Sequence, residues 1–171
     1  NQGTNDLAAI TRRQSDTETA RLEADIADAD KTGDLARQVA AIEAALAHPC
    51  ARHHFFVPEL CYGLAEALRR LGHYDDAIAA MERTITEGYQ SWPVPEADIA
   101  ELHLLAGRHD QAAALYRGLT QLTPDDVWLY NAAGLTYQHF GDLETAIEWL
   151  IGRLDLALRS GDHERVFDQL T

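Results

Sequence analysis

The sequence is poor in cysteine and in long apolar runs. Two cysteines, Cys50 and Cys61, are too few for a disulfide framework, so a reducing, cytoplasmic location is the simplest expectation. No apolar run approaches the roughly 18 residues that a membrane-spanning helix needs. The sequence therefore predicts a protein that neither depends on disulfides nor crosses a membrane.

Positive charge is also scarce. The chain carries 14 lysines and arginines against 28 aspartates and glutamates, which gives a formal net charge of −14. Direct binding of nucleic acid or of an anionic membrane surface is not expected, because both need a basic patch. An acidic chain is suited to cationic partners, although acidic residues that only coat the outer helix faces would give the same composition.

Catalytic signatures are missing. The sequence has no Gly-x-Ser-x-Gly elbow, no phosphate-binding loop and no His-Glu-x-x-His motif. The paired carboxylates Asp75-Asp76 and Asp125-Asp126 stand at predicted helix starts, where the helix dipole accounts for them. We therefore expect a protein that is not an enzyme and that uses no cofactor.

One group of cysteine and histidine side chains is a candidate metal site. It comprises His48, Cys50, His53, His54 and Cys61. Their spacing matches no zinc module, and Cys61 falls at a position that helix packing requires. The sequence predicts a buried Cys61 and no bound metal.

The chain does contain one sequence motif that occurs four times. Each copy opens on a glycine, at Gly33, Gly72, Gly107 and Gly141, and a period of 34 to 39 residues is typical of a helical repeat. Small residues follow five positions later in three copies, at Ala77, Ala112 and Ala146. Apolar residues at steps of three and four predict a helix on each side of every glycine.

This pattern resembles the tetratricopeptide repeat, whose unit is a helix–turn–helix of the same period. The resemblance implies an all-α fold, a right-handed solenoid of antiparallel helix hairpins. Repeats are expected at about 19–52, where Gln38 replaces the small residue, and at 58–91, 93–126 and 127–158. Residues 1–14 are expected as a flexible segment or short helix, a capping box at Ser15 should open the domain 15–171, and a terminal helix should cover 162–171.

The resemblance also implies a binding surface, because the first helices of such hairpins line a groove. The positions that match the lining are Tyr62, Glu66, Arg69, Arg70, Glu101, Leu104, Trp128, Asn131, Leu135, Gln138 and His139. Trp128 would be the apolar anchor, Asn131 would contact a peptide backbone, and Arg69 and Arg70 would hold an acidic group. The competing interpretation is that Leu104, Leu105 and Trp128 pack under a neighbouring element.

Two functions follow from the resemblance. The first is a non-enzymatic protein–protein interaction scaffold that binds a peptide or a partner helix in the groove. The alternative is a regulatory or accessory domain of a larger multidomain bacterial protein, docked on a part absent from this chain. The lysine, arginine and asparagine clamp for chaperone tails is not present, and the oligomeric state stays open.

Overall fold

The computed structural model of the chain describes residues 2–91 and 93–160, so the terminal helix expected at 162–171 lies outside the described residues. Within these two ranges all regular secondary structure is helical and no strand occurs. The predicted fold class, an all-α chain of repeated helix hairpins, is confirmed.

The helices fall into two compact units, Asn1–Tyr89 and Gln90–Thr171. The first unit contains α1 (Gln2–Thr32), α2 (Leu35–Ala47), the single turn α3 (Ala51–His54), α4 (Val57–Leu71) and α5 (Tyr74–Thr86). The second contains α6 (Glu96–Leu105), α7 (His109–Leu122), α8 (Val127–His139) and α9 (Leu143–Ser160). Four hairpins result: α1 with α2, α4 with α5, α6 with α7, and α8 with α9.

Each hairpin turns at one of the four predicted glycines. Gly72 ends α4 in the left-handed conformation, with φ of 79°, and its N–H donates to the carbonyl of Arg69. The next N–H, of His73, donates to the carbonyl of Leu68, which completes a Schellman motif. Gly33, Gly107 and Gly141 have φ values of 68°, 74° and 79°, so the four predicted turns are confirmed.

Small residues lie where the helices of the second unit approach most closely. Ala112 on α7 is fully buried, and Ala146 on α9 is 2% exposed. Around them a core forms from α6 to α9, comprising Ala97, Ala100, Leu104, Ala112, Tyr116, Leu119, Leu129, Ala133, Tyr137 and Ala146. Alanine at these positions lets larger neighbours such as Tyr116 fill the space between the helices.

The first unit follows the same rule. Ala77 and Cys61 are fully buried, and Ile42 and Met81 are at most 2% exposed. The buried hydroxyl of Thr84 donates to the carbonyl of Ala80 at 2.9 Å, so this polar group is satisfied within α5. The core of this unit joins α2 to the α4–α5 hairpin.

The N-terminal helix differs from the expectation. It begins at Gln2 and runs without interruption to Thr32, so Ser15 lies inside α1 instead of opening it. The segment Leu7-Ala8-Ala9-Ile10 contains no glycine or proline, and residues of this kind extend a helix readily. A capping box marks a place where a helix can begin, and the good helix formers before Ser15 allow an earlier start.

The close approach at Ala112 predicts the effect of a larger side chain. We expect Ala112→Leu to lower the free energy of unfolding by about 1–3 kcal/mol, because the added atoms have no space beside Tyr116 and Leu129. Chemical denaturation followed by circular dichroism measures this change.

The matched control is Ala114→Leu, two residues along the same helix at an exposed position. We expect it to change the stability by less than about 0.5 kcal/mol. Equal stabilities of the two variants would show that Ala112 does not lie at a close helix contact.

Candidate partner-binding surface

The face of α8 that points away from the core carries an exposed aromatic ring and an exposed leucine. Trp128 is 41% exposed and Leu135 is 51% exposed, and they lie two helical turns apart on the same side of α8. Gln138 and His139 continue this exposed side to the end of the helix. We call Trp128, Leu135, Gln138 and His139 the α8 surface.

The start of α8 is fixed by its cap. The Asp126 carboxylate accepts hydrogen bonds from the N–H groups of Trp128 at 3.0 Å and Leu129 at 3.2 Å. These bonds satisfy two of the free donors at the helix start and set the direction of its first turn. Leu129 then enters the core while Trp128 stays at the surface, so the interpretation that buries Trp128 is not favoured.

Asn131 was expected to contact a peptide backbone. Its side-chain oxygen instead accepts a hydrogen bond from the Arg153 guanidinium on α9. Asn131 is half-buried, and this bond joins the two helices of the last hairpin. Its side-chain oxygen is therefore already engaged within the hairpin.

The two expected residues on α6 are less exposed than those of the α8 surface. Leu104 is 3% exposed and belongs to the core of the second unit. It cannot offer its side chain to a partner without opening that core, so the packing interpretation holds for Leu104. Glu101, three residues earlier, is half-buried.

In the first unit, α4 carries the other four expected residues. The Tyr62 ring stacks on Tyr89, with centroids 5.1 Å apart and planes at 21°. Arg69 donates two hydrogen bonds of 3.0 Å to the Glu66 carboxylate one turn earlier. Arg70 is exposed and takes part in none of the ion pairs found among residues 12–91. Of the two arginines, Arg70 is the one with an available charge.

A second exposed apolar surface was missed by the sequence interpretation. Five side chains on one side of α9 are 43–61% exposed: Leu143, Ile147, Ile151, Leu154 and Leu158. We call them the α9 stripe. Their spacing of four, four, three and four residues is visible in the sequence, but it also fits a buried helix face, so spacing alone could not find the surface.

The cysteine and histidine residues are spread over several local contacts. Cys61 is fully buried on α4, as expected, whereas His53 and His54 are exposed on α3. His48 lies 3.4 Å from the Glu18 carboxylate and accepts a hydrogen bond from the backbone N–H of Cys50. In the described part of the chain no three potential ligands are grouped as a metal site.

Comparison with known proteins decides the family. The tetratricopeptide repeat model matches residues 62–127 and again residues 98–152, which together span just over half of the chain. The chain belongs to the tetratricopeptide repeat family. This membership supports a protein–protein interaction scaffold in general terms, and modules of this family are typically non-catalytic.

Solved structures agree with the tetratricopeptide fold. A crystal structure of MamA is 16% identical, with a TM-score of 0.54, over 84% of this chain and 81% of MamA. MamA from Desulfovibrio magneticus RS-1, taken from its residue 41 to its end, is 19% identical, with a TM-score of 0.54, over 86% of this chain and 88% of that chain. At these identities the likeness concerns the fold alone. No curated protein matches the chain.

Among the described residues, no helix combines the length and the apolar character that crossing a bilayer requires.

The contrast between the two cysteines gives a prediction about thiol reactivity. Burial raises the pKa of the Cys61 thiol, with smaller opposing contributions from nearby arginines, and the side chain is shielded from solvent. We expect a thiol reagent to label Cys50 rapidly in the folded protein and Cys61 only after the fold opens.

Labelling of Cys50→Ser and Cys61→Ser variants, followed by mass spectrometry, assigns the two rates. Rapid labelling of Cys61 in the folded Cys50→Ser variant would contradict its burial. Labelling of both variants in denaturant provides the control for intrinsic reactivity.

Proposed function

We propose that this tetratricopeptide repeat protein is a non-enzymatic interaction scaffold that binds a peptide or a partner helix along the α8 surface. One observation carries the proposal: Trp128 and Leu135 stay 41% and 51% exposed on one side of a helix whose other side fills the core. A large aromatic side chain and a leucine left in water gain binding energy when a partner covers them.

The chemistry of the α8 surface favours a polypeptide. Trp128 and Leu135 offer apolar contacts two turns apart, which matches the spacing of side chains along a partner helix. Gln138 offers both a donor and acceptors, so it can bond an extended backbone as well. The surface thus combines an apolar anchor with a polar end.

The first unit offers a charged contact of its own. Arg70 is exposed, and its guanidinium can bind a carboxylate of the partner. Arg69 is held by two hydrogen bonds to Glu66, so we assign it a structural role in α4. Of the two arginines expected to hold an acidic group, Arg70 is therefore the one that we propose for this contact.

A second candidate function is that of a regulatory or accessory domain in a larger protein. The α9 stripe favours it, because five exposed apolar side chains on one helix gain free energy when another part of the same polypeptide packs on them. In that arrangement α9 docks within the protein, and the α8 surface is not the main contact.

The α8 surface predicts the effect of removing its anchor. Peptides selected from a random library on the wild-type protein serve as the probes. We expect Trp128→Ala to weaken the binding of these peptides by about thirtyfold, which corresponds to roughly 2 kcal/mol. Calorimetric titration measures the affinity, and circular dichroism checks that the helices remain.

The matched control is Leu122→Ala, which removes an apolar side chain that is 80% exposed at the end of α7. We expect this variant to bind the same peptides as well as the wild type does. Unchanged peptide affinity in a folded Trp128→Ala variant would remove the α8 surface as the binding site, and loss of folding would assign Trp128 to the core.

The alternative makes a different prediction for α9. If this chain is a domain of a larger protein, the backbone amides of α9 should exchange more slowly in that larger protein than in this chain. Amide hydrogen exchange compares the two proteins. Equal exchange of α9 in both would contradict intramolecular docking on the stripe.

A further inference from the structure

A cleft of about 460 Å³ opens in the second unit, between α7 and α9. The carboxylates of Asp110, Asp142 and Glu148 line it together with Arg117, Tyr137 and Trp149. Three acidic groups against one guanidinium give the cleft a negative balance. It contains none of the residues of the α8 surface or the α9 stripe.

The side chain of Tyr137 lines the cleft and is almost fully buried. Tyr137 is 4% exposed, and its ring packs 6.0 Å from that of Tyr116. Its hydroxyl makes no hydrogen bond with any residue in the part of the chain that the structure describes. A ligand that enters the cleft can form a hydrogen bond with this hydroxyl.

The three carboxylates that line the cleft can also accept hydrogen bonds from a ligand. Asp142 uses one oxygen to accept the Thr145 N–H at 3.1 Å, which caps α9 and leaves the other oxygen to the cleft. Neither Asp110 nor Glu148 takes part in the ion pairs found among the described residues. Asp110 lies in the first turn of α7, Asp142 directly before α9, and Glu148 in the second turn of α9. A cationic ligand therefore meets acceptors that helices already hold in place.

The electrostatic surroundings of the hydroxyl agree with this picture. Burial raises the pKa of Tyr137, the nearby Asp142 carboxylate raises it further, and Arg117 acts in the opposite direction. The hydroxyl therefore stays protonated at neutral pH and lies within the fields of both charged groups.

We propose that this cleft binds an arginine side chain of a partner polypeptide. A guanidinium offers five N–H donors in a plane, which suits the carboxylates and the Tyr137 oxygen as acceptors. Its flat face stacks on an aromatic ring, and Trp149 supplies one. The inference rests on the proposed function only in that the ligand is a polypeptide.

The chain's charge supports a cationic partner over an anionic one. The formal net charge of −14 attracts basic segments over long distances. The positive charge of Arg117 in the cleft lining opposes a guanidinium, so replacing Arg117 tests whether the ligand is cationic.

The first experiment uses a short capped oligo-arginine peptide as the probe and calorimetric titration at low salt. We expect Glu148→Gln to weaken its binding by about three- to fivefold and Tyr137→Phe by about two- to tenfold. Glu144→Gln is the matched control, because it changes the same charge on the same helix outside the cleft. Equal weakening by Glu148→Gln and Glu144→Gln would overturn the proposal in favour of general charge attraction.

The second experiment tests the identity of the ligand. We expect Arg117→Gln to tighten oligo-arginine binding by about threefold, because a repelling charge is removed. An oligo-lysine peptide should bind more weakly than oligo-arginine, and an oligo-glutamate peptide should not bind. Weaker binding in Arg117→Gln, or oligo-lysine binding as tight as that of oligo-arginine, would contradict an arginine site.

The proposals for the α8 surface and for the cleft can be contradicted independently. Trp128→Ala tests the α8 surface with selected peptides, whereas Glu148→Gln and Tyr137→Phe test the cleft with the oligo-arginine probe. A folded Trp128→Ala variant that keeps its oligo-arginine affinity supports an independent cleft. Loss of that affinity would place the probe on the α8 surface and overturn the assignment to the cleft.

Discussion

The close contact between paired helices is the constraint on which the rest of the structure depends. Helices joined by only two or three residues must lie side by side, and they can approach most closely where one of them carries a small residue. Ala77 in the first unit and Ala112 and Ala146 in the second occupy such buried positions. Gly134 is the extreme case, since a Cβ there would come within 2.7 Å of the Leu150 side chain.

This constraint also determines which residues are left for binding. Once the small residues and the rings of Tyr116 and Tyr137 fill the space between helices, the remaining large side chains of α8 and α9 stay exposed. Trp128 and the α9 stripe lie on such outward sides. The surfaces available to partners are therefore a by-product of how the hairpins close, and different faces of one hairpin can take different ligands.

Much of the fold could be predicted from the sequence because its signals are local. A glycine with positive φ and a small residue five positions later are properties of single positions, and Gly72 with Ala77 illustrates both. The exposure of the proposed binding residues could be predicted only in part. Repeat position alone cannot tell Leu104, which is buried, from Trp128, which is exposed, because burial depends on what the neighbouring helix presents. The cleft could not be predicted, because its lining side chains come from α7, α8 and α9, and the sequence does not show which of them lie close together.

The unequal length of the connections has an evolutionary consequence. Within hairpins the links are two or three residues long and are locked by bonds such as that from the His73 N–H to the Leu68 carbonyl. Between α2 and α4, and between α5 and α6, nine residues intervene. An insertion inside a hairpin would disrupt the hydrogen bonds of its turn, whereas the longer connections tolerate added residues. Changes in length of a few residues are therefore expected in the connections between hairpins, whereas a hairpin itself is gained or lost as a whole.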